Sequence, residues 1–277
     1  MSVWFVTGAS RGFGAEIVKE ALARGNQVVA TARKPEDIPF SGDDVLALAL
    51  DVTDESHARA AVDAAVQRFG RIDVLVNNAG RGLLGAVEEV SDSAARAVFD
   101  TNVFGTLNVQ RAILPVLRSQ RSGRVISISS VGGFTGTPGW GVYAATKFAV
   151  EGFSEALYAE LQPFGVHVTI VEPGFFRTDF LDGSSLHTAD GQLDDYAGTV
   201  GKVRELMAER NHAQPGDPVK AAAAIVDLAD LAEPPLRIQL GSDAVARVEA
   251  KLDLVRSELD RWRKISVSTD HEDVGPA

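Results

Sequence analysis

Short, almost wholly apolar segments recur along the chain, separated by longer stretches with helical periodicity. Val3–Thr7, Gln27–Ala32, Val45–Asp51, Ile72–Asn77, Arg124–Ser129, Val166–Val171 and Leu236–Leu240 read as strands. They are bounded by Gly, Pro, Asn or Asp and show little polar alternation, the pattern of strands buried on both faces. Gly14–Arg24, Asp54–Phe69, Asp92–Arg118, Ala144–Gln162 and Pro218–Leu231 read as helices. Regular strand–helix alternation predicts an α/β fold: a doubly wound parallel sheet of about seven strands with helices on both faces. One domain, residues 1–241, accommodates all of it. The connection from Arg33 to Asp44 holds two prolines and a glycine, so any helix there is short.

Two regions break the alternation. Residues 178–216 are polar and glycine-containing and lie between a strand and a helix, where long insertions form lids over sites. In residues 242–277, Val245, Val248, Leu252, Val255, Leu259 and Trp262 recur at three- and four-residue steps. That spacing predicts an amphipathic helix to Lys264 with its apolar face packed on the same domain, then a frayed polar tail from Ser266.

Composition narrows the picture by exclusion. Hydrophobic residues make up 45% and charged residues 23%, ordinary values for a globular chain. No apolar run is long enough for a membrane span, and the N-terminal residues lack signal-peptide features. The absence of cysteine excludes disulfides, thiolate catalysis and cysteine-ligated metals, and fits a cytoplasmic location. A net charge of −11 disfavours nucleic acid and anionic lipid as partners. The five histidines are scattered with no i, i+4 pair, so no histidine metal site is expected.

Chemistry-bearing residues cluster at strand ends. Thr7-Gly8-Ala9-Ser10-Arg11-Gly12-Phe13-Gly14 follows the first strand and opens a helix. Glycines there permit a sharp turn, close approach to a pyrophosphate and tight helix–strand packing. The helix N-terminus adds unpaired N–H groups and positive dipole. After the second strand stand Thr31-Ala32-Arg33-Lys34, with no acid to bind a ribose 2′-hydroxyl. Arg33 and the loop residue Arg11 instead favour a 2′-phosphate, predicting NADP(H) as preferred cofactor with NAD(H) possible.

Tyr143 and Lys147 lie one helical turn apart on one face. An ammonium beside a phenol favours the phenolate, giving a usable acid–base for proton exchange with a substrate oxygen. Ser130, at the end of a buried strand, is placed to stabilise developing negative charge, with Ser129 as its rival. No histidine and acid accompany this serine, so no hydrolase triad is read.

The set Gly8, Gly12, Gly14, Asn77-Asn78-Ala79-Gly80, Asn102, Ser130, Tyr143, Lys147 and Pro173-Gly174 resembles the short-chain dehydrogenase/reductase family from about Val3 to Leu240. The resemblance implies a Rossmann-type fold and Asn102, Ser130, Tyr143 and Lys147 as catalytic residues. It places Asn78, Ala79 and Gly80 by the central sheet and adenosine ribose, Asp51 and Val52 at the adenine, and Pro173, Gly174 and Thr178 at the nicotinamide. Tyr143 and Lys147 border the cofactor as well. Ser130 to Phe134 and Val142-Tyr143 resemble the branch of hydroxysteroid and retinol dehydrogenases and carbonyl reductases.

Phe134, Trp140, Phe175, Phe176, Phe180 and Leu181, joined by Leu83 and Leu84, suggest a small hydrophobic carbonyl or alcohol as substrate, with Arg177 the only obvious cation. The resemblance also implies a homodimer or homotetramer paired through Asp92–Arg118 and Ala144–Gln162. The alternatives are a nucleotide-sensing binding protein on the same fold, against which the intact Tyr143 and Lys147 weigh, and an epimerase or dehydratase.

Overall fold

The structure, a computed structural model, describes residues 1–271. Seven parallel strands form the central sheet: β1 (Val3–Thr7), β2 (Gln27–Ala32), β3 (Val45–Ala49), β4 (Val74–Asn77), β6 (Gly123–Ile128), β7 (Val166–Pro173) and β9 (Arg237–Leu240). Their order across the sheet is β3-β2-β1-β4-β6-β7-β9. Strand order therefore reverses between β1 and β4, and the crevice beyond their carboxyl ends is where open α/β sheets hold ligands.

Alternation within each strand divides the core. Val3 and Phe5 of β1 join Val29, Leu75 and Val125 beneath α2 (Glu55–Phe69), α4 (Gly105–Gln120) and α5 (Gly141–Leu161). Trp4 and Val6 face the other way, with Val28, Val76 and Ile126, toward α1 (Gly12–Ala23) and α7 (Pro218–Asp230). Each strand thus contributes side chains to two apolar layers, which explains its near-continuous hydrophobicity.

The helix expected over Asp92–Arg118 is divided. α3 (Asp92–Phe99) passes into a π-helical turn, Asp100–Phe104, before α4 begins. The turn is held from outside. Asn102 donates to Arg81 O (2.9 Å) and Thr146 Oγ1 (3.0 Å) and accepts from Arg81 N (2.9 Å). Strand bounds shift by small amounts: β3 stops at Ala49, and Asp51 instead folds its carboxylate onto Thr53 N and Oγ1.

The 178–216 segment is ordered. It carries β8 (Leu186–Thr188), paired in parallel with β5 (Gly82–Leu84), and α6 (Lys202–Arg210). Glu89, with a fully buried side chain, is its anchor. The carboxylate accepts from Ala86 N (2.7 Å) and Leu193 N (2.9 Å) and pairs with Arg204. Burial alone would raise its pKa, yet the two amides and Arg204 together hold it below the ordinary carboxylate range.

The final helix, α8 (Ser242–Val267), extends beyond the expected Lys264, so Ser266 belongs to the helix rather than to a frayed tail. Ala244 and Val248 pack against Val131 and Phe134. Packing of the whole apolar face was expected, but it is confined to these first turns: every residue from Leu252 to Val267 is exposed. Residues 272–277 of the expected tail lie outside the described residues.

Because the Glu89 pKa is lowered on folding, its contribution is present above the unfolded carboxylate pKa and is lost as pH falls through the folded value. Glu89→Gln is expected to increase amide exchange across residues 186–204 several-fold while leaving the central sheet protected. Wild-type exchange rates in that segment would contradict the anchoring role.

Candidate functional site

A cleft of about 580 Å³ runs along the carboxyl ends of the strands. At one end lies the β1–α1 turn. Gly8 and Gly12 adopt positive φ (67° and 57°), a region disfavoured for side chains. A Cβ on Gly14 would stand 2.1 Å from Gly8 O and 2.6 Å from Asn78 Nδ2, so only hydrogen fits. Asn78 locks the turn by donating from Nδ2 to Thr7 O (2.9 Å) and Gly8 O (3.0 Å). The N-terminus of α1 has no side-chain cap, leaving its first N–H groups directed at the cleft. A close-approach glycine cradle with uncapped amides fits a dinucleotide pyrophosphate.

The predicted residues Gly8, Ser10, Arg11, Gly12, Phe13, Arg33, Asp51 and Val52 all line this cleft, as do Asn78, Ala79 and Gly80. Pro173, Gly174 and Thr178 line its other wall with Ser130, Tyr143 and Lys147. Gly14 and Asn102 do not line it; they act from behind. Asn102 holds the Gly80-Arg81 backbone, and a Cβ on Gly80 would lie 3.3 Å from Asn102 Oδ1 and 3.8 Å from Lys147 Nζ. Arg33 is exposed at the cleft edge, whereas Arg11 is engaged: its guanidinium donates to Ser184 O (2.9 Å) and Ser185 Oγ (2.8 Å). The loop arginine expected to be free for phosphate thus ties the glycine turn to the 178–216 segment.

At the centre, α5 delivers Tyr143 and Lys147, both buried, and the end of β6 delivers the serines. The structure separates Ser130 from Ser129. Ser130 lies beside the Tyr143 phenol and takes the Gly132 N–H on its oxygen (3.0 Å). Ser129 Oγ is directed instead at Gly133 and Glu151. Lys147 Nζ donates to Ile128 O (2.9 Å) and stands 5.9 Å from the Tyr143 ring centroid.

Electrostatics depart from the expectation that Lys147 alone lowers the Tyr143 pKa. Burial pushes the phenol up to about 12, with the Ser130 hydroxyl opposing. Burial pushes the Lys147 ammonium down to about 8, with the Glu151 carboxylate opposing. For both groups loss of solvation outweighs the opposing contact. At neutral pH Tyr143 is therefore a phenol, a proton donor.

The far end is mostly apolar. Trp140 and Phe180 meet the Tyr143 ring at centroid distances of 5.6 and 5.7 Å. Phe175, Phe176 and Leu181 line the wall as expected. Phe134, Leu83 and Leu84 do not: Phe134 packs under α8, and the leucines are core. Arg177 is also turned away, donating to Gln214 O. Several lining residues escaped the sequence reading: Val203, Leu206, Met207 and Arg210 of α6, Gln214, Thr137 and Arg247. The i, i+3, i+4, i+7 spacing of the α6 set was the available signal. Gln214 is buried, and its side-chain amide has no partner among the described residues. Arg247 donates to Thr137 Oγ1 from the first turns of α8.

Comparison with known proteins accords with this architecture. Residues 2–188 match the family model described as short chain dehydrogenase. Oxidoreductase BOA17 of Botryotinia fuckeliana is 38% identical over 272 residues, covering 96% of this chain and 98% of its own length. The 3-ketodihydrosphingosine reductase of Bacteroides thetaiotaomicron is 40% identical over 238 residues, covering 85% of this chain and 86% of its own. A crystal structure of a short-chain dehydrogenase from Streptomyces avermitilis superposes with a TM-score of 0.90 at 43% identity, covering 98% of this chain and 100% of that one. One from Burkholderia cenocepacia, in complex with NADP, gives 0.74 at 28% identity over 94% of this chain and 96% of its own. The chain belongs to the short chain dehydrogenase family and is an oxidoreductase acting on CH–OH and C=O groups.

Proposed function

We propose that the chain is an NADP(H)-dependent reductase of hydrophobic ketones or aldehydes, with Tyr143 as proton donor. The reading rests on one arrangement: a buried Tyr143 phenol beside Ser130, with Lys147 below, in a cleft that begins at the glycine turn. The α1 amides and the Gly8–Gly14 turn would hold the cofactor's pyrophosphate, Asp51 and Val52 would border its adenine, and Pro173, Gly174 and Thr178 its nicotinamide. When bound, the nicotinamide supplies the hydride that adds to the carbonyl carbon. Ser130 donates a hydrogen bond to the carbonyl oxygen, and Tyr143 transfers its phenolic proton to it. Carbonyl, hydride and proton together give the alcohol. Lys147 would hold the nicotinamide ribose hydroxyls, and Asn102 keeps the Gly80-Arg81 segment in place.

Preference for NADP(H) follows from the end of β2, where Ala32-Arg33-Lys34 offers a cation and no carboxylate. A similarity to the Burkholderia cenocepacia structure in complex with NADP supports a nicotinamide cofactor. Substrate class follows from the wall of Trp140, Phe175, Phe180, Leu181 and Met207. Gln214 and Arg247 add polar contacts at its margin.

Tyr143→Phe is expected to lower kcat by about 10²–10⁴-fold while leaving NADPH affinity nearly unchanged. Turnover retained by this variant would remove Tyr143 from the chemistry. Arg33→Ala should raise the KM for NADPH by about tenfold and that for NADH little; equal effects would refute the preference. Because Lys147 loses its proton near pH 8, kcat/KM for reduction should fall as pH rises through about 8. A profile flat to about pH 10 would show that the ammonium charge is not required.

A further inference from the structure

The cleft wall beside Tyr143 carries a cation that makes no ion pair among the described residues. Arg247, in the first turns of α8, is partly buried and lines the cleft together with Thr137. Its guanidinium donates to Thr137 Oγ1, and its other N–H groups have no protein partner among the described residues. Asp243 stands one turn earlier, in the position of an i, i+4 partner. Its carboxylate is committed elsewhere: it accepts from Phe175 N (2.9 Å) and lies against Gly174, where a Cβ would stand 2.2 Å from Asp243 Oδ1. Loss of hydration lowers the Arg247 pKa, with the Asp243 charge opposing. A guanidinium keeps its proton nonetheless, so a part-desolvated positive charge remains on the wall.

The position of this charge relative to Tyr143 is fixed. Ala244 and Val248, on the same side of α8 as Arg247, pack on Val131 and Phe134. Trp140 N donates to Thr137 O (3.0 Å), and the Trp140 ring meets the Tyr143 ring at 5.6 Å. Gly139, at φ 80°, lies close under Leu84 and Val200, where a Cβ would stand at 3.1 and 3.3 Å. One clamped segment therefore carries Ser130 and Tyr143 at its ends and Thr137 between them.

Docking of α8 does not account for the charge. Ala244 and Val248 supply the apolar contact, and a neutral donor would serve Thr137 as well. Withdrawing a cation from water without a partner is unfavourable unless a ligand brings the anion. Arg177, the cation expected on this side of the cleft, is turned onto Gln214 O.

We propose that Arg247, oriented by Thr137, is a specificity-determining residue that receives the carboxylate of an oxo acid, with the apolar chain of that acid against Trp140 and Phe180 and its ketone at Tyr143. The planar fork of a guanidinium matches a carboxylate through two parallel hydrogen bonds. One guanidinium beside a neutral hydroxyl balances one negative charge. A phosphate monoester, at about −1.5 to −2, would call for a second cation at Thr137, where none donates. The proposal rests on the carbonyl-reductase reading of the same cleft and narrows its substrates to apolar ketones with a charged end.

Straight-chain oxo acids of increasing length, with the ketone next to the terminal methyl, and their methyl esters test this with NADPH. The wild-type chain should favour the acid of matching length over its ester in kcat/KM by about tenfold or more. Arg247→Gln should remove that preference, and Arg247→Lys, which keeps the charge without the fork, should retain part of it. No acid preference at any length, or an Arg247→Gln variant that slows acid and ester alike, overturns the proposal; turnover of the ester then leaves the reductase reading standing. Decanoate, which has no ketone, gives a readout independent of turnover. By calorimetry it should bind the NADPH-loaded chain more tightly than decanol, and Arg247→Gln should weaken it about tenfold. Should neither oxo acid nor ester be reduced, the reductase reading fails and decanoate decides the Arg247 site by itself. Equal affinity for decanoate and decanol, or decanoate affinity unaltered in Arg247→Gln, overturns it.

Discussion

The fold turns on one small hydrogen-bonded clamp between the ends of β1 and β4. Thr7 Oγ1 accepts from Asn78 N and Ala79 N, both at 3.0 Å, while Asn78 Nδ2 returns two bonds to Thr7 O and Gly8 O. This joins the two strands at the point where sheet order reverses. The clamp also explains the glycines: Gly8 turns back under it, and Gly14 has to pass within van der Waals distance of the same carbonyl. Without it the α1 amides would not be aimed along the cleft, and the crevice would lose one wall.

Burial governs the chemistry of the centre. Tyr143 and Lys147 are withdrawn from water, and each moves toward its neutral form. A second buried group stands behind them. Arg237 bridges Glu151 (3.0 Å) and Glu172 (3.3 Å), tying α5 to β7 and β9. Burial first, then the neighbouring Glu151 carboxylate, push Glu172 up to about 7 against the opposing Gln239 amide and Arg237. Such a cluster is costly to desolvate and contributes little net stability, but it fixes the helix that carries Tyr143.

The 178–216 segment packs Leu186 and Met207 into a core with Leu83, Leu84 and Trp140, and polar contacts secure it and the base of α8. Glu89, Arg204 and the Arg11 contact to Ser184 hold the 178–216 segment across the cleft. Asp243 and Arg247 hold the base of α8 beside it. Both elements bring side chains to the apolar end, so residues that shape it come from outside the regular β–α repeats. The repeats supply the glycine cradle and the Tyr143–Lys147 pair.

Sequence alone determined the parallel sheet, because strands buried on both faces must be apolar throughout, and β1 and β2 were read to their observed ends. The glycine turn, the Tyr143–Lys147 spacing and the strand-end serines were equally legible, since each is a local pattern with a local reason. Tertiary structure decided what depends on neighbours distant in the chain. Contacts from Arg81 and Thr146 opened the π turn at Asn102 inside a continuous helical pattern. Backbone direction after β6 turned Ser130, and not Ser129, toward the phenol. Burial raised the Tyr143 pKa where spacing alone had suggested the opposite, and the 178–216 segment claimed Arg11. Periodicity predicted the amphipathic helix α8, but only the packed body showed that its own domain leaves most of the apolar face uncovered.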